Sequence, residues 1–97
     1  MVIVAKVSFP RSYLNQAVAV YTGLPTLPLG IRLYGPFFRP DSDRVNAVAV
    51  YQLGAFDHAL ALKLIRERYR SFDDIPDFTK EIQEWHEFRE MLAAWFN

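Results

Sequence analysis

The sequence predicts an α+β domain whose elements follow one another in the order β-α-β-β-α, followed by a tail that forms either a fourth strand or a helix. Three observations lead to this prediction. The chain has 97 residues, a length that suits one domain with one core. Three segments are rich in β-branched residues or alternate in polarity. Two further segments carry apolar residues at helical spacing. We therefore expect a single domain over residues 1–97.

The first strand and first helix are predicted within the first 25 residues. Val2 to Phe9 is typical of a strand that ends at Pro10. Ser12 is a candidate N-cap for a helix that runs to about Thr22. Gly23 follows as a C-terminal glycine. One side of this helix is apolar and carries Leu14, Ala17, Val18, Tyr21 and Leu24.

A hairpin is predicted next, from Ile31–Phe38 and Val45–Leu53 joined by a short polar turn. Pro36 cannot donate to a strand ladder, so the second strand is an edge strand or a bulged one. Simple alternation divides this strand into two faces. One face holds Ile31, Leu33, Gly35 and Phe37; the other holds Arg32, Tyr34, Pro36 and Phe38.

The second helix is predicted to start after Asp57, its N-cap, and to run to about Arg70. Its apolar stripe steps by four and three residues. The members of the stripe are His58, Leu62, Ile65, Tyr69 and Phe72. The next segment, residues 71–77, is predicted to be a loop.

The tail has two interpretations. As one long helix, it aligns a set of apolar residues at helical spacing: Phe78, Ile82, Trp85, Leu92 and Phe96. As a strand over residues 78–85 followed by a short helix from Glu87, it has no cleanly apolar face. The local pattern favours the helix. The topology favours the strand, because without a fourth strand the apolar first strand would lie at an exposed edge.

With the fourth strand, the order β-α-β-β-α-β is that of a ferredoxin-like sandwich with an antiparallel sheet and a short C-terminal helix. The order of the elements, and the passage from Phe72 through Ile75-Pro76 to Trp85, resemble small members of the dimeric α/β-barrel superfamily. The resemblance implies a homodimer whose two sheets face each other. It implies no particular activity, because the superfamily includes oxygenases, isomerases, ligand sensors and uncharacterised proteins.

Composition narrows the classes of function and favours a partner. Eleven basic and eleven acidic residues balance, without the basic excess that nucleic-acid binding requires. The chain has no cysteine, and no run long enough for a membrane span, so we expect a cytoplasmic protein. Counted with Gly and without Tyr, 49 of 97 residues are apolar, at the upper end of the usual range of about 45–50%. A domain this small has little interior, so we expect a second copy to cover part of this surface.

The sheet face turned away from the helices is the predicted site. We assign the odd-numbered residues of strands one and two to the helices, which leaves Lys6, Arg32 and Tyr34 on the opposite face. Tyr51 joins them if the third strand also turns Ala47, Ala49 and Tyr51 to that side. These four polar residues would form a mixed wall, typical both of a pocket for a partly apolar small molecule and of a plain dimer interface.

Two functions therefore stay open: a non-catalytic ligand-binding or assembly domain, and a small barrel enzyme of the oxygenase or isomerase type. His86, near the end of the fourth strand, is the candidate acid or base of the enzyme. His58 is expected to be packed and hydrogen-bonded. Two histidines 28 positions apart do not form a zinc motif, and no glycine-rich phosphate loop is present. We therefore predict no metal and no cofactor.

Overall fold

The computed structural model describes residues 1–95. Its strands are β1 (Val2–Pro10), β2 (Ile31–Pro40), β3 (Arg44–Leu53) and β4 (Thr79–Trp85). Its helices are α1 (Leu14–Thr22), which follows a 3-10 turn at Arg11–Tyr13, then α2 (His58–Arg70) and α3 (Phe88–Trp95). The predicted α+β class is confirmed, and the tail is a strand followed by a short helix. Phe96, which belonged to the alternative single helix, lies outside the described residues.

The sheet has the order β2-β3-β1-β4, and every neighbouring pair of strands is antiparallel. β1 and β2 therefore run parallel to each other with β3 between them. β3 and β4 run parallel with β1 between them. β4 forms despite its weak local pattern because it pairs with the main chain of β1 from Val2 to Ser8, which would otherwise be unpaired.

The core lies between the sheet and the helices. Ile3, Ala5 and Phe9 of β1 are buried, as are Ile65 and Tyr69 of α2. The assignment of the odd-numbered residues of β1 to the helix side is therefore confirmed. The same holds for the start of β2, where Ile31 is buried and Leu33 packs against the core.

The third strand turns its odd-numbered residues to the helices, whereas the predicted site needed them on the opposite face. Ala47, Ala49 and Tyr51 pair directly with Val7, Ala5 and Ile3. Residues opposite each other in an antiparallel pair share a face of the sheet, so all three lie on the helix side. The placement of Tyr51 on the outer face was wrong: its side chain is fully buried.

A bulge in β2 reverses the predicted faces of its second half. The register shifts between Tyr34 and Phe37, so that Phe37 pairs with Val48 and Phe38 with Ala47. Phe37 therefore lies on the outer face and Phe38 on the helix side, the reverse of simple alternation. Gly35 adopts a φ of 93° at this point, a conformation that favours glycine.

The first helix is less buried than its apolar side suggests. Of that side only Ala17 is buried, while Leu14, Val18 and Tyr21 are 38, 51 and 37% exposed. The helix starts at Leu14, and no side chain caps it. The predicted cap at Ser12 was wrong because residues 11–13 form a 3-10 turn.

The second helix starts as predicted, but its first three residues are exposed and its burial begins at Ala61. The Leu60 backbone N–H donates to Asp57 Oδ1 at 2.8 Å, which confirms the cap. Ala61, Ile65 and Tyr69 form the buried line. His58 is exposed, so the prediction that it is packed was wrong. Residues 58–60 cover different directions around the helix axis and are all exposed, which means that the start of α2 lies beyond the core.

A tyrosine pair joins the sheet to α2 inside the core. The hydroxyl oxygens of Tyr51 and Tyr69 lie 2.8 Å apart, and the rings meet edge to face with centroids 6.4 Å apart. Burial is the largest cause that raises the pKa of each hydroxyl above its usual value. Each hydroxyl thus satisfies the other in a place that water does not reach.

We expect Tyr51→Phe to lower the free energy of unfolding by about 1–3 kcal/mol, because it leaves the Tyr69 hydroxyl buried without its partner. The double variant Tyr51→Phe/Tyr69→Phe removes both polar groups and should cost less than the sum of the two single changes. Urea unfolding of the four proteins measures this cycle. Additive costs would contradict the coupling.

The same pair predicts a loss of stability in alkali. The folded-state pKa of both hydroxyls is raised. Their contribution to the free energy of unfolding is therefore fully present below the ordinary pKa of 10.0 and is lost as pH rises above it. The wild-type free energy of unfolding should therefore fall more between about pH 8 and pH 11 than that of the double Phe variant. Equal slopes for the two proteins would contradict this assignment.

Candidate functional site

The second face of the sheet, which we call the open face, is the candidate site. It is formed by the alternate residues of the four strands that point away from the core. Tyr34, Phe37 and Trp85 on this face are 43, 60 and 53% exposed. From β1 and β2 it carries Val2, Val4, Lys6, Ser8, Arg32, Tyr34, Phe37 and Arg39; from β3 and β4 it carries Asn46, Val48, Val50, Gln52, Thr79, Glu81, Gln83 and Trp85.

The centre of the open face is apolar and is built by registered cross-strand rows. One row places Val4, Val50 and Tyr34 side by side across three strands. The next row places Lys6, Val48 and Phe37 side by side. Valine and aromatic side chains in such rows pack well on a pleated surface.

Opposite charges lie next to each other beside this apolar centre. Lys6 is the backbone partner of Glu81 in the register of β1 and β4, and opposite charges at such directly opposed positions are favourable. Lys6, Phe37, Arg39 and Glu81 also line an open depression of about 490 Å³ on this face. The open face therefore combines an apolar middle with a charged flank.

A chain of hydrogen bonds crosses the other end of the open face. Arg32 Nη1 donates to the Tyr34 hydroxyl at 3.5 Å, and this hydroxyl donates to Gln52 Oε1 at 3.2 Å. Gln52 Nε2 donates to Glu87 Oε1 at 2.8 Å. The hydrogen bond to Tyr34 raises the pKa of Arg32. This series of hydrogen bonds connects β2 and β3 to Glu87, the residue just before α3.

The predicted site residues do not form one cluster. Arg32 and Tyr34 are on the open face and are hydrogen-bonded to each other. Lys6 is on the same face but two strands away, about 10 Å across the sheet by strand spacing, and it lies in a different cross-strand row from both. Tyr51 is in the core on the opposite side. His86 is exposed in the connection between β4 and α3, and none of the hydrogen bonds described above involves it.

Phe37, three residues of β3, and Glu87 beside the face were missed from the sequence. Phe37 was placed on the helix side because the bulge was not located, although Pro36 signalled an irregular strand. Val48, Val50 and Gln52 were missed because the two valines hide the alternation of β3, which is visible only at Asn46 and Gln52. Glu87 contacts Gln52 across 35 positions of the chain, and no local pattern signals such a contact.

The start of α3 is fixed beside the open face. The Glu87 backbone N–H donates to Glu90 Oε1 at 3.0 Å, which is one half of a capping box. Glu90 also pairs with the amino group of Met1. The bond from the amino group, followed by the bond from Glu87, lowers the pKa of Glu90. Past this anchor, α3 exposes much of Phe88, Leu92 and Trp95.

Residues 1–95 hold neither a cluster of metal ligands nor a membrane-spanning helix. In this part of the chain, no three His, Cys, Asp or Glu side chains come together in a way that would hold a metal ion. Over the same residues, none of the helices has the length and apolar character needed to cross a membrane.

Comparisons with known proteins do not assign a family. No protein-family model matches the chain, and no curated protein matches it at a significant level.

We expect acid to loosen the start of α3. Because the pKa of Glu90 is lowered, its stabilising contribution is present above the usual pKa of 4.5 and is lost as pH falls through the lowered value. Amide hydrogen exchange at residues 87–92, measured from about pH 7 down to pH 3 and corrected for intrinsic rates, should show falling protection. In Glu90→Gln, protection should be lower at neutral pH and nearly independent of pH. An equally steep profile in the variant would contradict the role of Glu90.

Proposed function

We propose that this chain is a non-catalytic assembly domain of the ferredoxin-like, dimeric α/β-barrel type, and that it pairs with a second copy of itself through the open face. The interleaved sheet supports this class. Each βαβ unit joins two parallel strands, and a strand of the other unit lies between them. Such interleaving is what we expect of a split βαβ motif. The observation that carries the proposal is the apolar centre of the open face, where half-buried valines lie beside the exposed rings of Tyr34 and Phe37.

The amount of exposed surface supports an interface large enough for a second copy of the chain. The chain exposes 6671 Å², whereas a folded monomer of 11.3 kDa exposes about 5,700 Å². The excess, about 1,000 Å², is close to the ~800 Å² that each partner buries in a standard interface. The radius of gyration is 14.8 Å, whereas about 12.5 Å is typical of a compact chain of this length.

The charges of the open face suit a second copy. In a two-fold interface the same patch meets itself, so it has to be complementary to itself. Lys6 and Glu81 lie side by side across neighbouring strands. A two-fold axis near them would bring Lys6 of each protomer towards the partner's Glu81, while the valines of the two faces meet beside them. Opposed charges of this kind fix the register of the pair.

Val50→Glu should convert a wild-type dimer into a folded monomer. Val50 lies between Val4 and Tyr34 in the apolar centre, so a glutamate there would have to be buried without a partner. Light scattering after size-exclusion chromatography at micromolar concentration should give twice 11.3 kDa for the wild type and 11.3 kDa for the variant.

Ala59→Glu is the matched control. It adds the same charge at an exposed position of α2 and should remain a dimer. Circular dichroism establishes that each variant is folded. A monomeric wild type would overturn the proposed assembly, and a folded Val50→Glu dimer would show that another surface forms it.

A further inference from the structure

An apolar cavity lies on the other side of the sheet, between α1 and the C-terminal half of α2. Its floor is formed by small side chains on the two central strands. Ala5 pairs with Ala49, and Val7 pairs with Ala47. Because alanine side chains are short, the floor stays low beneath α1, and Ala17 is the one residue of α1 that is buried over it.

The walls of the cavity are aromatic and are held in place by their own stacking. Phe72 and Phe78 stack with centroids 5.2 Å apart at an interplanar angle of 6°. Phe9 continues the stack at 6.2 Å from Phe78, and Tyr69 lies 5.9 Å from Phe72. This series presents fixed flat surfaces to the cavity, which is pre-organised for a ring.

The mouth of the cavity gathers apolar residues that the fold leaves exposed. Leu14, Val18 and Tyr21 of α1 form one side of it, and Phe38 of β2 forms another. Phe38 reaches this position because the bulge at Gly35 turns it to the helix side. The exposed side of α1 is therefore the wall of a concave site and not an isolated apolar strip.

The size and chemistry of the cavity define what can fill it. Its volume is about 90 Å³, and none of its lining residues is charged. Two tyrosines line it: the Tyr69 hydroxyl is already bonded to Tyr51, and Tyr21 is at the mouth, where it is 37% exposed. The remaining lining side chains are apolar, and apolar cavities stay dry and take ligands such as benzene. A charged group inside it would lose its hydration without compensation.

We propose that this cavity binds an uncharged apolar molecule with the size of a single ring. A helix of another protein inserts several anchor side chains along two turns, whereas a volume of about 90 Å³ has room for one ring-sized group. The site is on the opposite side of the sheet from the open face, so the proposal does not rest on the dimer. It places a small apolar ligand under α1, away from Lys6, Arg32 and Tyr34.

Toluene and benzoate provide a matched pair of probes, since both carry one ring and only benzoate is charged. In ¹H–¹⁵N NMR titrations of the full chain, toluene should cause saturable shifts centred on Ala17, Ala47 and Ala49. Benzoate should bind at least about tenfold more weakly. Absence of saturable shifts with toluene, or equal affinity for the two probes, would overturn the proposal.

Ala47→Leu fills the floor and should abolish the toluene shifts, whereas Ala19→Leu adds the same volume at an exposed position of α1 and should leave them unchanged. If Ala47→Leu does not fold, Val18→Lys at the exposed mouth replaces it and should weaken binding at least about tenfold. Retention of wild-type affinity in the folded variant would overturn the proposal. A change from dimer to monomer in Val18→Lys would identify the cavity as a subunit contact and would overturn it equally.

Discussion

The pairing of β1 on both of its edges determines the rest of the structure. β1 is in register with β3 from Val2 to Pro10 and with β4 from Val2 to Ser8. Because paired residues share a face and successive residues alternate, these two registers assign nearly every side chain of three strands to the core or to the open face. A slip of one residue would exchange the two sets completely. The register therefore positions the core tyrosine, the alanine floor and the valine rows together.

The bulge in β2 is the one place where this alternation changes. Without it, Phe37 would face the helices, and Phe38 would join the open face. With it, Phe37 extends the row of Lys6 and Val48, and Phe38 reaches the mouth of the cavity. A single irregularity thus supplies an aromatic residue to each of the two surfaces that we propose are occupied, and Gly35 provides the backbone freedom for it.

The sequence allowed the elements and their order to be predicted, but not the faces of every strand. β1 could be assigned because one of its faces is more apolar than the other. β3 was not assigned correctly, because Val48 and Val50 in the middle of its even-numbered face hid the alternation that Asn46 and Gln52 mark at its two ends. Tyr51 was misplaced for that reason. β4 was recognised from topology, because the need to pair β1 outweighed a weak local pattern.

The candidate site was less predictable because it depends on contacts between distant parts of the chain. Arg32 and Tyr34 were found, since they are two residues apart on one strand. Glu87 reaches Gln52 across 35 positions, and the cavity joins residues from Ala5 to Phe78. Such groupings follow from the fold as a whole, and residue spacing along the chain does not predict them.

The shapes of the two apolar surfaces argue for different occupants. The open face is broad and carries only a wide, open depression, so a comparably broad surface is needed to cover its valine rows, and a second copy presents one with matching charges. The cavity is narrow and concave, and its walls are already packed against each other. A broad surface would bridge its mouth and leave the interior empty, whereas a single ring would fill it and contact the aromatic walls on several sides. Shape therefore separates the two roles, although both surfaces are apolar and belong to the same sheet.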